Sequence, residues 1–463
     1  MDQKKEIAGS RHEQRTCIDL PHYTMIRTSS LLLVSIILLS ASDAFSADKR
    51  AGCQPLIDAN GDLTAVILHD IFAPPIASRI YAYSNIAAYE GIRYQDQSLS
   101  SLTPMLKDFD AMPKPESGKQ YDFNLVGLRA FYATGKALVF SEADMEEAWE
   151  KTRDAVATFP LDDSITIRSI KLGEQISAAV IKRAKRDNYI QIRTYPRYRY
   201  RQTPGSWMPT PPDYAEGLEP YWNRVRPLSM DSAAQFAPER PILFDTSNAS
   251  DFMHQVLEVF HANSADSSTQ AIARYWDDNP FATVYQGHFT LAIKKVTPGG
   301  HWIGITSTAL LASESDLPKA AEAFSKVSIA LFDGFISCWD EKYRSNYIRP
   351  ITAINAYVDE RWKSYIQTPP FPEYTSGHSV ISGASSTVLA DLFGETFAFT
   401  DTLETINDLP TRHFNSFAEA ASEASMSRFY GGIHFKPTLT VSLEQGRRIG
   451  AHINDRLRLR NKR

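Results

Sequence analysis

Apolar residues recur at spacings of three and four along most of this chain, with polar faces between them. That pattern predicts amphipathic helices over 63–92, 123–138, 143–158 and 163–187. The same period returns over 250–262, 267–277, 282–295, 301–312, 316–346, 376–393, 413–430 and 437–458. Strand-like alternation bounded by hairpin signals is nearly absent, so the expected fold class is all-α. Between the two helical sets, 193–230 loses its period. Pro196, Pro204, Pro209, Pro211, Pro212 and Pro220 stand there among Tyr and Arg. This divides the chain into an N-terminal helical half, 47–235, and a C-terminal helical half, 236–463. The irregular stretch reads equally as a linker or as a functional loop that wraps a neighbour.

One apolar run differs from the rest. Leu31 to Ala41 is too short to span a bilayer; Arg27 precedes it and Ala44-Phe45-Ser46 follows. That order matches a secretory signal peptide over 1–46, with Met25 a second candidate start and an N-terminal anchor the alternative. The expected mature protein is periplasmic or secreted and has no transmembrane span. With 43% hydrophobic residues and a net charge of −5 from 49 basic and 54 acidic side chains, the chain is neither disordered nor a general nucleic-acid binder. Three cysteines exclude a disulfide scaffold and a thiolate metal centre; losing Cys17 with the leader leaves Cys53 and Cys338, whose pairing stays open. The terminal Arg456, Arg458, Arg460, Lys462 and Arg463 read as a solvated helix end.

Candidate chemistry lies in three segments of the C-terminal half. In the first, the apolar stripe Phe324, Val327, Leu331, Phe335, Cys338 continues onto Lys342, and Arg349 follows two helical turns later, before Pro350. Alone, Lys342 reads as a lysine snorkelling to solvent; buried, its ammonium would need a partner. In the second, Phe371-Pro372-Glu373-Tyr374-Thr375-Ser376-Gly377-His378 opens a helix whose free N–H groups form an anion site. In the third, Arg428 closes a helix and Gly431-Gly432 turn the chain, so that His434 can point back toward the Arg428 side. Together these supply about three positive charges, a hydroxyl and a backbone N–H for a tetrahedral oxyanion, with two histidines beside it.

Lys-x6-Arg-Pro, Ser-Gly-His and Ser-Arg-x3-Gly-x-His, in that order, resemble the three-part signature of vanadium-dependent haloperoxidases and the related type 2 phosphatidic acid phosphatases. The resemblance is close over 339–434 and extends to Ile272–Pro280 and Thr297–Trp302. It implies two helical-bundle halves and one vanadate per chain, with phosphate able to occupy the same site. By the resemblance, His434 would bond the vanadium, and Lys342, Arg349, Ser376, the Gly377 N–H and Arg428 would bind vanadate oxygens. His378 would be the acid–base group and Lys342 would polarise bound peroxide. Trp339 and Phe371 would wall a halide pocket, and Asp278 would pair with Arg428 behind the site. Hydrogen peroxide and a halide are the implied substrates and an organic acceptor an optional one; the oligomeric state is open. Phosphatases of the superfamily often carry Asp four residues after the last histidine, where this chain has Thr438, which leaves open what orients His434. Compact length, leader and Phe371 look most like exported bacterial iodoperoxidases, with bromide also allowed. The alternative is an exported acid phosphatase using His434 as nucleophile.

Overall fold

The computed structural model describes residues 52–262, 266–280, 282–286 and 288–460. The signal peptide expected over 1–46 lies outside them. The N-terminal helices are α1 (Gln54–His69), α2 (Pro74–Ile92), α3 (Phe123–Lys136), α4 (Glu142–Val156), α5 (Ser164–Ala184) and the short α6 (Tyr189–Ile192). A single helix was expected over 63–92, but Pro74 and Pro75 start a new one at α2 after Ile71 takes a left-handed turn. Asp122 and Asp163 cap α3 and α5 by accepting from their first free N–H groups.

The later helices are α7 (Asp251–Ala262), α8 (Ser267–Tyr275), α9 (Pro298–Ala312), α10 (Leu317–Ser345), α11 (Pro350–Tyr357), α12 (Gly377–Phe393), α13 (Phe417–Tyr430) and α14 (Lys436–Arg456). The helix expected over 282–295 is instead an antiparallel hairpin, β1 (Ala282–Gln286) with β2 (Phe289–Ile293), in which Gln286 faces Phe289. Thr283, Val284 and Tyr285 favour a strand, and Gly287-His288 is a pair that tight hairpin turns accept. A second small pair, β3 (Phe399–Asp401) with β4 (Arg412–Phe414), was also unforeseen, each strand being only three residues long.

Arg50–Arg463 forms one compact unit. Its main apolar core gathers side chains from α1, α2, α3, α5, α9, α10, α12, α13 and α14, with the long α10 buried along nearly its whole length. Cys53 and Cys338 are both buried and free, so no disulfide joins them. The Pro/Tyr/Arg stretch 193–230 wraps the end of α10: Trp207 N–H donates to Asn346 O, and Leu218 O accepts from Tyr343 Oη at 2.7 Å and Trp339 Nε1 at 3.1 Å. Asp333 anchors the end of that stretch by accepting from the N–H groups of Leu228, Ser229 and Met230. Among the described C-terminal cations Arg456, Arg458 and Arg460 are exposed, as expected of a solvated helix end, while Leu457 and Leu459 between them are buried and Arg460 also pairs with Glu322 and Asp96. Among the described residues no helix is long and apolar enough to cross a membrane.

Candidate active site

The three segments converge. Lys342 ends the buried stripe of α10 and is itself 0% exposed, so it does not snorkel. Its Nζ donates to Pro372 O at 2.9 Å and Glu373 O at 3.2 Å, and lies 4.8 Å from the Phe371 ring centre. The left-handed Asn346 stops α10, and extended backbone at Arg349 starts α11. That turn brings the Arg349 guanidinium inward, where Nε donates to Phe371 O and Nη1 to Ile433 O, at 2.9 and 2.7 Å. Ser376 caps α12 by accepting from Ser379 N, leaving the Gly377 N–H in the first turn without an intrahelical partner. Arg428 lies in the last turn of α13 and donates to Trp276 O and Ser427 Oγ. Gly432, at φ 76°, reverses the chain so that His434 reaches the site before α14 begins.

His434 sits between two groups of opposite hydrogen-bonding character. Its Nδ1 lies 2.8 Å from Glu373 Oε1, and its Nε2 lies 3.2 Å from Arg349 Nη1. A carboxylate accepts and a guanidinium donates, so the ring proton belongs on Nδ1 and Nε2 presents a lone pair. Burial and then Arg349, Lys342, Arg428 and His378 hold the ring's pKa well below its ordinary value, so it is neutral. Burial, Arg428 and His301 do the same to His378, against the pull of Trp276 O. Burial also pushes Lys342 down to about 7, with Cys338 opposing and Arg349 adding to it, and Arg349 down to about 10.

A cleft beside these groups is lined by Trp339, Phe371, Gly377, His378, Arg428 and His434 among others, while Lys342, Arg349 and Ser376 stay fully buried. Trp339 and Phe371 meet at 5.0 Å between ring centres and both line this cleft. Two buried polar atoms in this cluster have no hydrogen-bond partner among the described residues: Arg349 Nη2 and His378 Nε2. A buried guanidinium N–H left unpaired is costly, and an oxyanion beside His434 would satisfy it. The donor set therefore fits a tetrahedral oxyanion, and the lone pair on His434 Nε2, which here accepts from Arg349 Nη1, fits a metal within it.

Asp278 is placed differently from the expectation. Its Oδ1 takes His301 Nδ1 at 3.0 Å and its Oδ2 faces His378 Nε2 at 3.8 Å, while Arg428 has no hydrogen bond to it. The carbonyls of Ala273 and Trp276 occupy Arg428 instead. His301 is pinned from the other side by Asp401 at 2.8 Å and stacks on Trp276. Asp278, His301 and Glu404 are close enough to suggest a second metal site. Both His301 nitrogens are already held by carboxylates, so no lone pair is left for an ion. Sequence reasoning missed Glu373, His301 and Asp401 as site residues. The lone acid of the Phe371–His378 segment was a signal for Glu373; Asp401, distant in sequence, had none.

A family model described as the VCPO second helical-bundle domain matches residues 322–361 and 355–461. The chain is similar to the crystal structure of the first bacterial vanadium-dependent iodoperoxidase at 40% identity and a TM-score of 0.82, over 89% of this chain and 98% of that one. It shares its fold with a bacterial vanadium-dependent chloroperoxidase in holo and apo forms, each at 16% identity, with TM-scores of 0.66 and 0.63. These cover 84% and 83% of this chain and 93% and 94% of those. A comparison with curated proteins returns no match. A relative this similar over nearly its whole length decides the family: the chain belongs to the vanadium-dependent haloperoxidases.

Proposed function

We propose that this protein is a haloperoxidase that holds one vanadate per chain and oxidises iodide with hydrogen peroxide, bromide being a second substrate. The observation that carries the reading is the His434 Nε2 lone pair, turned into the cluster where it accepts from Arg349 Nη1 at 3.2 Å, beside the unpaired Nη2 of the same arginine. Bound there, vanadate supplies Lewis acidity that activates peroxide for two-electron transfer without changing its own oxidation state. Peroxide, halide and a proton then yield hypohalous acid and water.

The chain's own groups have distinct tasks. Lys342, Arg349, Ser376, the Gly377 N–H and Arg428 hold the anion's oxygens, and their donors are in place before it binds. His378 Nε2, neutral and 3.8 Å from Asp278, takes a proton from incoming peroxide and returns one to the departing oxygen. Trp339 and Phe371 give the large, weakly hydrated iodide an apolar surface. The relative at 40% identity is named an iodoperoxidase, and iodide is the easiest of the three halides to oxidise. Phosphate, also tetrahedral, would occupy the same cage. Residues 1–46 are proposed to export the protein as a leader, with 47–235 and 236–463 as its two helical halves.

The test is halogenation of a phenolic dye by purified protein with iodide, bromide or no halide, before and after vanadate is added. Absence of vanadate-dependent turnover with every halide sinks the proposal, and phosphoester hydrolysis inhibited by vanadate would favour the phosphatase alternative. His434→Ala is expected to lose vanadate on gel filtration, as read by metal analysis.

A further inference from the structure

Glu373 is fully buried and lies on a different segment from the histidine it touches. Its Oε1 accepts from His434 Nδ1 at 2.8 Å and from Phe435 N at 3.0 Å, and its Oε2 accepts from Thr438 Oγ1 at 3.0 Å. Helix α14 has no side-chain cap of its own at Phe435, so this carboxylate sits at the positive end of that helix. Thr438, four residues after His434, gives its hydroxyl to Glu373 rather than an acid to the ring. The Glu373 backbone is tied to the site as well: its N–H donates to Tyr347 O and its carbonyl accepts from Lys342 Nζ.

We propose that Glu373, locked by Thr438, is the positioning residue that makes His434 a metal ligand and so lets the site prefer vanadate over phosphate. The inference rests on the reading that His434 takes the vanadium. A carboxylate on Nδ1 fixes the tautomer and turns the Nε2 lone pair toward the cage. It also makes that nitrogen a stronger electron donor. Phosphate forms no bond to the ring and feels Glu373 only as a negative charge near Lys342 and Arg349, which weakens anion binding. The same carboxylate therefore acts with opposite sign on the two oxyanions.

Titration calorimetry on the vanadium-free protein tests this with vanadate and with inorganic phosphate. Glu373→Gln is expected to weaken vanadate by roughly 10–100-fold, as loss of such an outer partner does elsewhere, while phosphate affinity holds or rises. Thr438→Val, which removes one donor and leaves the carboxylate, is expected to move vanadate the same way by a smaller factor, and it serves if Glu373→Gln does not fold. In ¹⁵N-histidine spectra the His434 ring nitrogens should shift in both variants. Equal weakening of both anions, or unchanged vanadate affinity, overturns the inference alone. Wild-type protein that binds vanadate no more tightly than phosphate overturns the metal-ligand reading and this inference with it.

Discussion

Helix α12 opens on one of the three candidate anion-binding segments and α14 follows directly on another, and glycine sets how closely the two helices approach. A Cβ built at Gly446 on α14 would lie 2.0 Å from Val380 O and 2.9 Å from Ala384 N on α12. Ordinary carbon contacts begin near 3.5 Å, so Gly446→Ala must part the helices by more than about 1 Å. Backbone supplies the clash, so no side chain can swing aside. Overpacking of this kind costs about 3 kcal/mol or somewhat more, and the better helix propensity of alanine returns about 1 kcal/mol. The net is about 2–3 kcal/mol. At roughly 2.1 cal/mol/K per residue, unfolding the unit Arg50–Arg463 has an entropy of about 0.9 kcal/mol/K, so Tm should fall by about 2–3 °C. Val380 is two residues from His378, so the shift also reaches the cage. A misplacement near 1 Å can cost about a hundredfold in a preorganised site, and phosphate affinity and halide turnover should drop accordingly. Differential scanning calorimetry and phosphate titration measure both effects. Gly61→Ala is the control: that glycine is exposed on α1, a Cβ there meets nothing within 4 Å, and about 0.5–1 kcal/mol of stability should be gained. If Gly446→Ala behaves like Gly61→Ala, the close-approach reasoning is wrong.

Two further expectations concern charge. Lys342 in the anion-free site titrates at about 7, so above that pH an incoming anion must also bring a proton back to it. Phosphate affinity should therefore fall by up to about tenfold per pH unit above pH 8, where phosphate is already a dianion, and calorimetry in buffers of different ionisation enthalpy should show proton uptake. A flat affinity between pH 8 and 10 would exclude it. At His301 burial opposes the charge, but Asp278 and Asp401 outweigh it and hold the pKa well above its ordinary value. A raised folded value means the contribution is complete below about pH 6.5 and is lost as pH rises through the folded value, at up to ~1.4 kcal/mol per unit. His301→Gln, which strands two buried carboxylates, should cost about 3–5 kcal/mol at pH 6. The gap to wild type in denaturant midpoints should narrow toward pH 9; a constant gap would refute the charged-histidine assignment.

Much of the helical fold was legible because burial on one face leaves a 3.6-residue period that composition cannot hide. The stripe ending at Lys342 marked α10, but taken alone it left that lysine reading as a snorkelling one, and its burial is a tertiary result. Misreadings fell where local signals were short or mixed. The 282–295 segment is apolar enough for a helix, and only its β-branched residues and Gly287 argue for the hairpin it forms. The break before α2 depended on Pro74-Pro75, a punctuation mark inside an otherwise continuous pattern.

The chain by itself singled out the cations, hydroxyl and histidines proposed to form the cage, because each lies at a helix end or turn that local residues specify: Pro350, Ser376, Gly377, Gly431 and Gly432. Local sequence carries such information, since capping and turn chemistry act over a few residues. The partners that tune those groups came only from tertiary structure. Glu373 on His434, His301 and Asp401 behind Asp278, and the 193–230 stretch against Trp339 are contacts between segments far apart in the chain. A side chain's hydrogen-bond character is written in its residue type, but which distant atom meets it is decided by how the helices pack.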